Sequence, residues 1–137
     1  MNSVESRSQE RPPTTLVVDD EHEYASTLAE RLDMRGVPCN AVFDGQQALA
    51  FLSANSPPAV MVLDLRMPGL DGIEVLRHVR VDHPEIAVIV VTAHGTDADE
   101  RLVRDLGAYD YMHKPVDVND LAERIKAAAR QARRATK

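Results

Sequence analysis

A chain of 137 residues has the size of one domain, and at 44% hydrophobic content it can bury a real core. The net charge of −6 argues against a general nucleic-acid binder, and a single Cys excludes an internal disulfide. No apolar run approaches the length of a membrane span, and the polar stretch Met1 to Thr15 lacks the apolar core of a secretory leader, so a cytoplasmic location is expected.

Residues 1–13 are rich in Ser, Glu and Arg and end in Pro12-Pro13, which predicts a flexible arm. Thr15 to Val18 is the first predicted strand and delivers Asp19 and Asp20 at its carboxyl end. From Glu21 to Met34 the apolar residues Ala25, Leu28, Ala29 and Leu32 fall at helical spacing, and Gly36 ends that helix. Val37 to Phe43 is a second strand, and Pro38 points to an edge position. Asp44-Gly45 turns the chain into a short helix, Gln46 to Ser53, with Ala48, Leu49 and Leu52 inward. After a loop from Asn55 to Pro58, the run Val60-Met61-Val62-Leu63 enters Asp64, and Pro68-Gly69 closes it with a turn. A continuous apolar run without alternation suits a strand covered on both faces.

Asp71 with Glu74 has the spacing of a capping box for a helix from Gly72 to Val81, burying Ile73, Leu76 and Val79. His83-Pro84 breaks it. Ile86 to Val91 is a fourth strand ending on Thr92. Thr96 can cap a helix whose first turn carries Asp97, Asp99 and Glu100, and Gly107 ends it. Ala108 to His113 is a short fifth strand, followed by Lys114-Pro115. Asp117 or Asn119 caps a last helix with Leu121, Ala122, Ile125 and Ala129 on one face, and residues 131–137 form a basic tail or the start of a linker.

Five repeats of strand then helix call for an α/β fold: one doubly wound domain over residues 14–130, with a parallel sheet and helices on both faces. In such sheets ligands bind at the carboxyl ends of the strands. Asp19, Asp20, Asp64, Thr92 and Lys114 all occupy that station. Carboxylates crowded together repel and need positive charge; Lys114 supplies one, and a hard divalent cation such as Mg²⁺ supplies more. A carboxylate beside Mg²⁺, a hydroxyl and a Lys form a site for phosphoryl transfer, with Asp64 as the nucleophile.

The set Val17-Val18-Asp19-Asp20-Glu21, Asp64 with Met67-Pro68-Gly69 and Asp71-Gly72, Val91-Thr92-Ala93, and Tyr111 before Lys114-Pro115 resembles the response-regulator receiver domain of two-component signalling. The resemblance covers roughly residues 14 to 130. It implies a CheY-like, flavodoxin-like sheet in the order 2-1-3-4-5. It also implies that Asp64 is the phosphorylated residue. Asp20 would bind Mg²⁺ directly and Asp19 mainly through water, and the backbone carbonyl of Arg66 would complete the protein ligands. Thr92 would read the phosphate and move towards it, Tyr111 would swing inward into space that Thr92 vacates, and Lys114 would pair with the phosphate, its peptide bond to Pro115 being cis. Implied partners are a histidine kinase or histidine phosphotransfer protein as donor. A downstream target, an output domain or a second copy would engage the face made by the fourth helix, fifth strand and fifth helix. Neither membrane nor direct nucleic-acid binding is implied for this domain. The chain would catalyse only its own phosphorylation and dephosphorylation, so it is not read as an enzyme.

Arg66 and His94 stand two residues after Asp64 and Thr92, at positions that vary in the family and affect how water reaches the acyl phosphate. Arg66 cannot orient a water as an acceptor would, which predicts slow self-dephosphorylation. Two other readings compete. A Mg²⁺-dependent phosphohydrolase with an Asp nucleophile wants a second Asp where Arg66 stands. A pseudo-receiver would bind partners without phosphate. His22, His78, His83 and His113 read as surface histidines, Cys39 as a small buried apolar residue, and the basic end of the chain as a solvated helix end.

Overall fold

The computed structural model describes residues 13–135. All but one residue of the arm expected over 1–13 lies outside the described residues, as do the last two of the tail. Five strands alternate with five helices: β1 (Thr15–Val18), α1 (His22–Asp33), β2 (Cys39–Val42), α2 (Gly45–Ala54), β3 (Val60–Leu63), α3 (Gly72–Asp82), β4 (Ala87–Thr92), α4 (Asp97–Asp105), β5 (Asp110–His113) and α5 (Val118–Ala135). The strands form one parallel sheet in the order β2-β1-β3-β4-β5. The doubly wound fold is the one the strand–helix alternation predicts, and the strand order is the one the resemblance implies. Residues 131–135 continue α5, and Cys39 rather than Val37 opens β2.

Side chains alternate across a strand, so each central strand feeds two cores. Leu16, Val18, Met61, Leu63, Val88 and Val90 pack on α2, α3 and α4. Val17, Val60, Val62, Ile89 and Val91 pack on α1 and α5. β1 and β3 are buried at every position, whereas edge strand β2 is only partly covered. In α3 the inward row is Val75, Leu76 and Val79, with Ile73 only partly covered. Leu49 of α2 is likewise only half-buried, while Ala48 and Leu52 are inside. Ile73 is the second residue of α3, where the chain is still leaving the loop, so periodicity alone misplaces it.

Helix starts follow their caps. The capping box of Asp71 and Glu74 is formed, and Thr96 forms a second one with Asp99. Asp117, not Asn119, starts α5, accepting from the Asp120 N–H at 3.0 Å. The Asn119 side chain instead accepts from Arg35 Nε at 2.6 Å. Parallel register places Val18, Val42, Leu63, Thr92 and His113 toward one rim, and the loops that follow carry the polar residues of interest.

Candidate functional site

β1 and β3 pair directly, so the residues that follow them emerge side by side. Carboxylate oxygens of Asp19, Asp20 and Asp64 lie within 4.8 Å of one another. Asp19 and Asp64 are buried and Asp20 is half-buried. At the sheet's edge, β5 is followed by Lys114, whose backbone N–H donates to the Thr92 carbonyl at 3.0 Å. The bond from Lys114 to Pro115 is cis. The Lys114 ammonium crosses the rim and reaches Asp19 at 2.7 Å, Glu21 at 3.0 Å and Asp64 at 3.5 Å. Its side chain is only 9% exposed.

Burial works against the Lys114 charge, but its bonds to Asp19 and Glu21 and the field of Asp64 outweigh that and raise its pKa. For Asp19 the balance falls the other way. Burial pushes its carboxyl up, and the hydrogen bonds from Lys114 and from the Glu21 N–H only partly offset this, while Asp64 adds to the rise. Three carboxylates, Asp19, Asp20 and Asp64, share this pocket with one ammonium.

Thr92 is fully buried at the end of β4, and its hydroxyl accepts the His94 N–H at 3.4 Å. Tyr111 lies inward, 6% exposed, with a buried hydroxyl that has no hydrogen-bond partner. That hydroxyl occupies the space a side chain at residue 95 would need, which is open only because Gly95 has none. Arg66 has two separate attachments. Its backbone N–H points to Asp64 Oδ1 at 3.5 Å, while its guanidinium pairs with Asp99 at 2.6 Å. Backbone hydrogen bonding from Thr96, with the nearby Arg66 charge, holds the Asp99 carboxyl below its usual value.

Four residues around the site were not assigned a role from sequence. Glu21 and Tyr24 are three apart at the start of α1 and both address Lys114, the Tyr24 ring lying 4.4 Å below its ammonium. Their spacing puts them on one helix face, a signal that could have been used. Asp99 read only as a favourable first-turn acid, and Gly95 carried no signal at all. His22, His78, His94 and His113 are exposed, His83 is half-buried, and none joins the acidic cluster. Cys39 is half-buried, and burial pushes its thiol up to about 12.

A doubly wound parallel sheet with an acidic, lysine-bridged pocket at its carboxyl rim defines a CheY-like α/β domain able to accept a divalent cation. The chain belongs to the response regulator receiver domain family, which it matches over residues 15–126. The transcriptional regulatory protein CpxR of Klebsiella pneumoniae subsp. pneumoniae (strain HS11286) is 40% identical over 117 residues, covering 85% of this chain and 49% of that protein. Response regulator MprA of Mycolicibacterium vanbaalenii is 35% identical over 120 residues, covering 88% of this chain and 52% of that protein. The chain thus spans about half the length of the curated relatives it matches. In fold it is similar to a CheY-like receiver domain protein from Methanospirillum hungatei JF-1, with a TM-score of 0.84 at 23% identity over 90% of this chain and 98% of that one. Among the described residues no helix is long and apolar enough to cross a membrane.

Proposed function

We propose that this domain is a phosphorylation switch in which Asp64 takes a phosphoryl group from a phosphohistidine on a histidine kinase or phosphotransfer protein. The observation that carries this is the ammonium of Lys114 held at 2.7 Å from Asp19 and 3.5 Å from Asp64 in an otherwise negative pocket. An Asp64 oxygen attacks phosphorus and forms the O–P bond. The N–P bond of the donor breaks, and its electron pair stays on the imidazole. Little covalent work falls to the protein, so positioning and charge neutralisation do most of it.

Asp19, Asp20, Asp64 and the carbonyl of Arg66 would hold Mg²⁺. Oxygen donors with an excess of negative charge fit such a hard cation. When bound, it supplies charge neutralisation for the transferring oxygens. Lys114 pairs with one phosphoryl oxygen and the Thr92 hydroxyl donates to another. Burial of Tyr111 beneath the loop after β4 sets the shape of the face built from α4, β5 and α5, through which a target, an output domain or a second copy is engaged. The switch unit extends over residues 14–130, acts in the cytoplasm and turns over no external product.

The test is a beryllofluoride titration in Mg²⁺ followed by amide NMR, with Asp64→Asn as control. Saturable shifts at Asp64, Thr92 and the α4, β5 and α5 residues are expected in the wild type and absent in the variant. No response in the wild type would favour a pseudo-receiver. Steady phosphate release from a small ester would favour the hydrolase.

A further inference from the structure

Arg66 is the cation nearest in sequence to the nucleophile, and its two ends are attached to different things. The backbone N–H faces Asp64 Oδ1 at 3.5 Å. The guanidinium is on Asp99 Oδ2 at 2.6 Å, and the same oxygen accepts the Thr96 N–H at 3.0 Å. The Arg66 side chain is 48% exposed. The Asp99 side chain is 15% exposed, so water reaches the pair mainly from the Arg66 side and screens it there.

Lys114 is already divided among Asp19, Glu21 and Asp64. A phosphoryl group on Asp64 brings further negative charge and more acceptor oxygens than one ammonium, shared with Asp19 and Glu21, can pair with. A planar guanidinium binds phosphate oxygens in pairs, whereas on Asp99 it makes one contact, Nη2 to Oδ2, to an oxygen shared with the Thr96 N–H. The Arg66 backbone N–H already lies 3.5 Å from Asp64 Oδ1, so its side chain starts beside the phosphoacceptor.

We infer that Arg66 is a second phosphoryl-binding residue, kept in reserve by Asp99. The inference rests on Asp64 as the phosphoacceptor. On phosphorylation the guanidinium leaves Asp99 for the phosphoryl oxygens, and the capping box that starts α4 loses its outer partner. By linkage the effect is reciprocal: whatever weakens the Arg66–Asp99 pair must strengthen phosphoryl binding, and only while Arg66 is present.

A double-mutant cycle tests this by beryllofluoride titration in Mg²⁺ of the wild type, Asp99→Asn, Arg66→Met and the double variant. Asp99→Asn is expected to bind several-fold more tightly than wild type, and Arg66→Met several-fold more weakly. In the Arg66→Met background Asp99→Asn should change nothing. Thr96→Ala loosens the same helix start without freeing Arg66, so it should leave the affinity near that of wild type. In wild type the Arg66 Nε resonance should move on saturation, a readout that needs no variant to fold. An equal effect of Asp99→Asn with and without Arg66, or an Arg66 Nε resonance that stays put while beryllofluoride is bound, would overturn the inference and leave the proposed function standing. A wild type that binds no beryllofluoride would remove both.

Discussion

At Asp19 the fold and the site pull in opposite directions. Burial, joined by the negative charge of Asp64, raises its carboxyl even though Lys114 and the Glu21 N–H stabilise the charged form. A carboxyl raised above its unfolded value holds its proton more firmly in the native state. Stability therefore falls as pH rises from 3.8 through the folded value and stays lower above it. Asp19→Asn removes that penalty while its amide oxygen still accepts from Lys114. The variant is expected to gain about 0.5–2 kcal/mol at neutral pH, the usual return for relieving a functional strain. The gain should shrink as pH falls through the raised folded value and be gone below 3.8, and urea unfolding at several pH values checks both. A second prediction concerns Arg66, which offers no acceptor to a hydrolytic water. Arg66→Asn is expected to shorten the aspartyl phosphate lifetime on the order of tenfold, the effect of about 1.4 kcal/mol on a barrier, in a phosphate-release time course. An unchanged rate would show that the guanidinium does not govern water access.

At the scale of elements, two glycines decide how closely loops approach the sheet. A Cβ on Gly72 would lie 2.6 Å from the Leu65 Cα and run into the Asp64 carbonyl, both rigid backbone. Gly72→Ala must push the start of α3 away from the end of β3, at a cost of about 1–3 kcal/mol. Chemical denaturation measures that loss, and amide shifts at Asp64 locate it. At Gly95 the obstacle is the end of a movable side chain, so Gly95→Ala should displace the Tyr111 ring rather than unfold the loop. Greater quenching of tyrosine fluorescence by iodide is the expected sign, with Gly72→Ala as a control that leaves Tyr111 inside. Sequence made one of these glycines visible and hid the other. Gly72 follows Asp71 in a recognisable capping box, so its place at a helix start could be read from local chemistry. Gly95 matters only through Tyr111, which lies sixteen residues on and meets it by tertiary packing. The Arg66–Asp99 pair escaped for the same reason, since thirty-three residues separate its partners. The strands, the caps and the positions of Asp19, Asp20, Asp64, Thr92 and Lys114 were legible because each is set by local pattern and by register.

Across the whole molecule, the parallel sheet separates the work of folding from the work of the site. The two apolar cores lie on the faces of the sheet and hold the strands in register. The site's charges gather at one rim, where register sets the ends of β1 and β3 side by side and the Lys114 side chain reaches across from the end of β5. Asp19, Asp20 and Asp64 are therefore imposed on the fold from outside the cores, and a cation they bind should stabilise the domain as a unit. A ligand that binds only the native state at one hundred times its Kd adds about 2.7 kcal/mol. Mg²⁺ at saturating concentration is expected to raise the unfolding midpoint accordingly, beyond what Na⁺ does at equal ionic strength. Asp20→Asn and Asp64→Asn should each lose most of that increment, whereas Arg66→Met, which keeps its backbone carbonyl, should retain it. The increment should also weaken as pH falls, because protons compete for Asp19 before they compete for a carboxyl at its ordinary value. Thermal or urea unfolding with and without Mg²⁺ at two pH values measures all of this. A Mg²⁺ increment that survives Asp20→Asn and Asp64→Asn together would place the cation elsewhere and detach the acidic pocket from the chemistry proposed for it.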